Sequence, residues 1–162
     1  MPQTEFFEPI DSPNRRRLPL LLRRSWYGLN QAFRRRLVHL QITPDQFTVL
    51  RTLLEGDARG LTQRELSRLM SSDPNTVASL LERMEKIGYV ERLPHERDRR
   101  AHRIKPLPKG KKTYELARAI AVALQGEVLA EVPAAGREDF LHNLSLLADA
   151  CRAAAEQRPG GS

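Results

Sequence analysis

The chain has 162 residues, 40% hydrophobic and 6% aromatic, with a net charge of +7. That suits one domain, or one with an extension, that can bury a core and is more helical than sheet-rich. No run approaches the roughly 18 apolar residues of a membrane helix, the acidic start "MPQTEFFEPIDSPN" lacks the apolar segment of a secretory signal, and a lone Cys151 excludes an intrachain disulfide framework and fits a reducing cytosol. A cytoplasmic protein is expected. The basic charge sits in two blocks. Residues 1–40 hold eight Arg against three acids, and residues 81–112 hold eleven Lys/Arg against five acids, whereas the intervening and final segments are net acidic. This placement suggests a polyanion partner, most simply nucleic acid, with a solvated basic face as the bland alternative.

Residues 1–14 contain prolines, lack periodicity and read as a loose tail. A helix is expected from Leu18. Leu22, Trp26, Leu29, Phe33, Leu37 and Leu40 step by 4, 3, 4, 4 and 3, which draws one apolar stripe, and Arg23, Arg24, Arg34, Arg35 and Arg36 mostly fall off it. Three capped helix starts follow. "TPDQ" (Thr43 to Gln46) and "DPNT" (Asp73 to Thr76) each put Pro at the first helical position after an N-cap, and "TQRE" (Thr62 to Glu65) is a capping box. "EGDARG" ends the first of these helices, "SSD" is a tight turn between the next two, and Gly88 sits where a helix C-terminus favours glycine.

"YVERL" and "HRIKPL" read as short strands around a tip, "HERDRRAHR", with four arginines, two acids and two histidines. Beyond it, "LPKGKKTYELARAIAVALQGEVLAEV" is a long helix with Ala117, Ile120, Ala121, Leu124 and Val128 on one side. "PAAG" breaks it. A last helix carries Phe140, Leu144, Leu147 and Cys151 on one stripe, and residues 157–162 are a tail. On that stripe Cys151 reads as a buried, inert thiol, since reactive cysteines need an exposed electropositive site.

Residues 62–87 have the spacing of a helix-turn-helix. In the second helix Val77, Leu80, Leu81, Met84 and Ile87 are expected to face in, leaving Asn75, Thr76, Ser79 and Arg83 outward. Small polar groups near a helix N-terminus can enter a major groove and reach base edges, so these four are the candidate base readers. Thr62, Gln63 and Arg64, at the start of the first helix, are candidate phosphate contacts. The hairpin that follows reads as a wing, with Arg97, Arg99 and Arg100 over the minor groove or backbone. Asp98 is read as an organiser that pairs with one arginine and fixes its direction.

These residues resemble the MarR family of dimeric winged-helix transcriptional regulators, over about Leu18 to Ala155. The resemblance rests on "LQITPDQFTVLRTL", on "LTQRELSRLMSSDPNTVASLLERMEKIGYVERLP", on "ERDRRAHRIKPLPKGKK" with its D-R-R wing tip, and on the last two helices. Three positions depart from the family pattern. Pro108 stands where Thr is common, Pro106 shortens the second wing strand, and His95 stands where Asp is frequent. The resemblance implies a mainly α fold with a small β wing (α+β), in which a winged helix-turn-helix domain (43–107) lies between an N-terminal dimerisation helix (15–42) and C-terminal dimerisation helices (108–156). It also implies a homodimer on a pseudo-palindromic double-stranded DNA operator, mostly repressing until a small ligand, often an aromatic acid or other phenolic, releases it. For that ligand the resemblance points to Trp26, Asn30, Phe33, Phe47 and Arg51, although Trp26, Phe33 and Phe47 also read as plain core.

No cofactor is expected. His39, His95, His102 and His142 lack metal-ligand spacing, and no G-x-S-x-G, Walker or G-x-G-x-x-G motif is present, so an enzyme is a poor reading. The run "NRRRLPLLLRR" reads as a solvated helix start by default, with an extra DNA contact, a cradle for an anionic ligand such as a coenzyme-A thioester, or a membrane-surface helix as alternatives. A winged-helix module that binds protein or RNA without reading DNA sequence is the alternative function.

Overall fold

The computed structural model describes Ser12 and residues 17–98 and 100–157. The elements run α1 (Leu18–Leu37), α2 (Pro44–Glu55), β1 (Leu61–Thr62), α3 (Gln63–Leu69), α4 (Pro74–Lys86), β2 (Val90–Pro94), β3 (His102–Pro106), α5 (Pro108–Leu129) and α6 (Arg137–Glu156), with 3-10 turns at Val38–Leu40 and Ala134–Gly136. The chain is mainly helical with a three-stranded antiparallel sheet in the order β1-β3-β2. It divides into two compact units, Met1–Ile120 and Ala121–Ser162, with the boundary inside α5.

In the first unit the helices start where their capping chemistry places them. Thr43 and Gln46 bond reciprocally through side chain and backbone, as do Thr62 and Glu65, and Asp73 accepts from the amides of Asn75 and Thr76. Each satisfies amides that the helix leaves unpaired. Asp73→Ala is therefore expected to lower stability by about 0.5–2 kcal/mol, read as a fall in chemical-denaturation midpoint at constant slope.

The ends of α3 and α4 share one device. The Ser72 amide bonds to the Ser67 carbonyl and the Ser71 amide to that of Arg68; likewise Tyr89 reaches Met84 and Gly88 reaches Glu85. This paired closure needs a left-handed residue at its centre. Gly88 supplies it at φ +77°, while Ser71 adopts φ +51° without glycine's freedom. The tight turn between α3 and α4 thus holds local strain of about 1 kcal/mol.

Val77, Leu80, Leu81 and Met84 of α4 are buried against the rest of this unit, each contributing roughly 1.5–3 kcal/mol on leaving water. Ile87, expected to face in, is instead 40% exposed. It is the C-cap, where the chain leaves the helix and the 3.6-residue period no longer sets direction. The stripe of α1 also departs from expectation at its end. The α-helix stops at Leu37, and Leu40 lies in the 3-10 turn closed by Gln41 at φ +53°. Along α1 only Leu37 is buried; Leu22, Trp26 and Leu29 are exposed.

The second unit comprises the rest of α5, the Ala134–Gly136 turn and α6. None of the residues of α6 is buried. Phe140 and Leu144 are exposed, and so is Cys151, which was expected inside. The stripe exists in the sequence, but among the described residues nothing buries it. Among the described residues no single helix is long and apolar enough to cross a membrane.

Candidate nucleic-acid interface

Helix α4 presents Asn75, Thr76, Ser79 and Arg83, all exposed, opposite its buried face. Their spacing of three and four residues puts them on one side. The first turn that carries Asn75 and Thr76 is fixed by the Asp73 carboxylate at 2.9 and 3.2 Å. Arg83 folds back, its Nε donating to the Ser79 carbonyl at 3.2 Å, so its guanidinium lies along the helix rather than straight out. Gln63 Nε2 donates to the Pro74 carbonyl at 3.3 Å and ties α3 to the start of α4.

At the start of α3, two of the three residues read as phosphate contacts are bonded within the chain. The Thr62 hydroxyl donates to Glu65 Oε2 at 2.8 Å and accepts from the Glu65 amide at 3.2 Å, and its own amide donates to the same carboxylate at 2.7 Å. The Thr62 amide and hydroxyl hold Glu65 below its ordinary pKa, so a negative charge already occupies this terminus. Thr62 is therefore committed to its cap, Gln63 to Pro74, and Arg64 is the exposed cation of the three.

The hairpin β2–β3 runs in register from Val90↔Pro106 to Pro94↔His102, and β3 also pairs with β1 through Leu61↔Ile104 and Thr62↔Arg103. The two-residue strand β1 was not legible in the sequence. At the tip, Arg97 and Arg100 are exposed; Arg99 lies outside the described residues. Asp98 organises the tip through the main chain: its Oδ1 accepts the Arg100 amide at 2.9 Å and its carbonyl accepts the Ala101 amide at 3.1 Å. His95 does what a short carboxylate would do at that place. Its Nδ1 accepts from the amides of Arg97 and Asp98, both at 3.2 Å.

A second set of charges braces the tip and was missed by the sequence reading. Arg103 Nε and Nη2 donate to the two oxygens of Glu96 at 2.7 and 2.6 Å, and Nη1 donates to the Gly60 carbonyl at 2.9 Å. Arg59 reaches Glu96 at 3.5 Å and grips Asp57 through Nη2 at 2.7 Å. The hydrogen bond from Arg103 holds the Glu96 carboxyl at about 2, and that from Arg59 holds Asp57 at about 2. Both values lie below the unfolded ones. The stabilisation is present above the ordinary carboxylate range and is lost as pH falls toward 2.

The residues expected to receive a ligand divide. Phe33 meets Phe47 edge-on at 5.0 Å, Tyr114 stacks on Phe47 at 5.3 Å, and Arg51 lies 5.9 Å over the Phe47 ring. Phe47 is buried in this cluster, whereas Trp26 is 65% exposed and Asn30 half-buried. An open cleft beside α2 is lined by Arg51, Thr52, Glu55, Gly56 and Leu69, so of the five expected residues only Arg51 borders it.

A helix pair with a tight turn, followed directly by a hairpin that pairs back to a strand before the pair, defines a winged helix-turn-helix protein. Residues 42–102 match the model described as the MarR family, and over that segment the chain is similar to the family. It is 30% identical over 97 residues to YybA of Bacillus subtilis, an uncharacterised HTH-type transcriptional regulator, covering 60% of each protein. It is 31% identical over 110 residues to the transcriptional activatory protein BadR of Rhodopseudomonas palustris, covering 67% of this chain and 63% of BadR. The matches thus span about three-fifths of the length of these curated relatives. Among solved structures, the M. tuberculosis regulator MOSR in complex with DNA superposes with a TM-score of 0.67 at 29% identity, covering 84% of this chain and 98% of that one.

Proposed function

We propose that this chain is a sequence-specific, double-stranded-DNA-binding transcriptional regulator that acts as a homodimeric repressor released by a small aromatic or anionic ligand. The observation that carries the DNA reading is the exposed polar face of α4, Asn75, Thr76, Ser79 and Arg83, on a capped helix followed at once by a wing with exposed Arg97 and Arg100. Base-edge contacts from the first and phosphate or minor-groove contacts from the second are what sequence-specific binding requires. The similarity to MOSR, whose structure holds DNA, supports it. Dimerisation is supported by the uncovered apolar faces of α1 and α6, which expose Leu22, Trp26, Leu29, Phe140 and Leu144. The exposed Arg51 at the open cleft is the group that would meet an anionic ligand.

Anisotropy against salt tests the proposal, comparing duplexes tiled across the DNA flanking the protein's own gene with random duplex. One tile should bind about 10³-fold tighter or more at physiological salt. Equal binding to every duplex would remove sequence specificity, and preference for single-stranded RNA would move the chain to an interaction module. Within the same assay Ser79→Ala should change base preference while leaving the salt slope intact, because base contacts specify and phosphate contacts supply the ionic term. A changed slope with unchanged preference would take Ser79 off the base edges.

A further inference from the structure

Four arginines fall between positions 97 and 103 of the sequence, and charge alone would assign all of them to DNA. The geometry separates them. Arg103 lies on β3 beside Ile104, which is buried, so alternation turns Arg103 to the other face of the strand. There its side chain is only 12% exposed. Three of its five N–H groups are already used, two on Glu96 and one on the Gly60 carbonyl. A fork so committed has little left for a phosphate. The three points it joins belong to different parts of the unit. Glu96 is in the wing tip, Gly60 is in the turn between α2 and β1, and Arg103 itself is in the central strand. Arg59, from that same turn, adds a second approach to Glu96 at 3.5 Å.

We propose that Arg103 is a positioning residue and not a DNA contact, and that the acidic residue Glu96 strengthens binding of an anionic partner by holding the wing, through Arg103, in one orientation. This rests on the DNA-binding reading above. Beyond Thr62↔Arg103 the sheet is only two strands wide, an arrangement marginal on its own, and Glu96, Arg97 and Arg100 lie beyond the last ladder pair, Pro94↔His102. The Glu96–Arg103–Gly60 bridge returns that tip to the body of the domain. The exposed Arg97 and Arg100 then project from a fixed base and lose less freedom on binding.

The test turns on sign. Glu96→Gln makes the protein more positive, so simple electrostatics demands tighter binding to DNA, while loss of the brace demands weaker binding. Arg103→Lys keeps the charge and removes the fork. Both variants are expected to bind the cognate duplex roughly two- to fivefold more weakly, the range a surface ion pair controls, with only a small fall in melting temperature from the lost pair. Hydrogen exchange in the free protein should quicken at residues 95–101 in both and nowhere else. Equal or tighter binding by Glu96→Gln overturns the proposal. So does wild-type binding by Arg103→Lys together with a salt slope lowered by about 1 in Arg103→Ala, the mark of a phosphate contact. If the wild-type chain binds no duplex at all, the DNA-binding reading falls, and exchange alone decides the brace: unchanged wing exchange in both variants overturns it, and faster exchange upholds it.

Discussion

Gly110→Ala is expected to destabilise the protein by about 2–3 kcal/mol, a fall of roughly 4–12 °C in melting temperature. Gly110 lies in the first turn of α5, and a methyl group there would be driven into the Tyr89 carbonyl and against Leu50. That carbonyl cannot retreat. It accepts the Leu107 amide at 2.9 Å, and the Tyr89 amide closes the end of α4 on the Met84 carbonyl. The glycine therefore sets how closely α5 docks on the segment joining α4 to the wing. Gly126, on the same helix, has nothing within 4 Å of its would-be methyl group. Gly126→Ala should hold or raise stability, since alanine favours helix interiors over glycine by about 0.5–1 kcal/mol. Thermal melts of the two variants side by side separate close packing from helix propensity. A Gly110→Ala protein that melts with the wild type would show that α5 can shift freely at its start.

Arg100→Ala is expected to weaken binding to a cognate duplex by roughly tenfold and to lower the salt slope by about 1, with the melting temperature unchanged. Arg100 is exposed, and its amide, not its guanidinium, is what Asp98 holds. Removing the side chain beyond Cβ thus takes away a cation while the tip's backbone bonds remain. The contrast with Arg103→Lys is informative, because that variant keeps its charge yet should still lose affinity. Unmoved affinity in Arg100→Ala, measured by anisotropy at several salt concentrations, would take the wing out of the interface.

Much of this fold could be read in the chain because its signals are local. A helix cap spans four residues, and Thr43–Gln46, Thr62–Glu65 and Asp73–Thr76 fell where the spacing placed them. The buried face of α4 followed from a 3.6-residue period over three turns. What escaped depends on partners far away in sequence. The strand β1 is two residues long and exists because β3, more than forty residues later, pairs with it. The bridge from Arg103 to Gly60 needs the same register, and the one to Glu96 needs the hairpin closed at Pro94↔His102. For Thr62, Gln63 and Arg64, read as phosphate contacts, the spacing did not show that Glu65 already accepts from the Thr62 amide and hydroxyl. For Cys151 the apolar stripe was real, but a stripe does not name what covers it.

The strand order carries a mechanical consequence. Because β3 lies between β1, which leads into α3, and β2, which leaves α4, the helix pair and the wing are stitched along both edges of one strand. Such a head has few hinges. On the proposed DNA-binding reading, a signal that folded the wing away would have to tilt or carry α4 with it. Two such heads joined as twins would behave as the jaws of a calliper. The quantity they gauge would be the distance between half-sites, and adding or removing single base pairs between those half-sites would disturb them more than any equal change in the sequence beneath the wing.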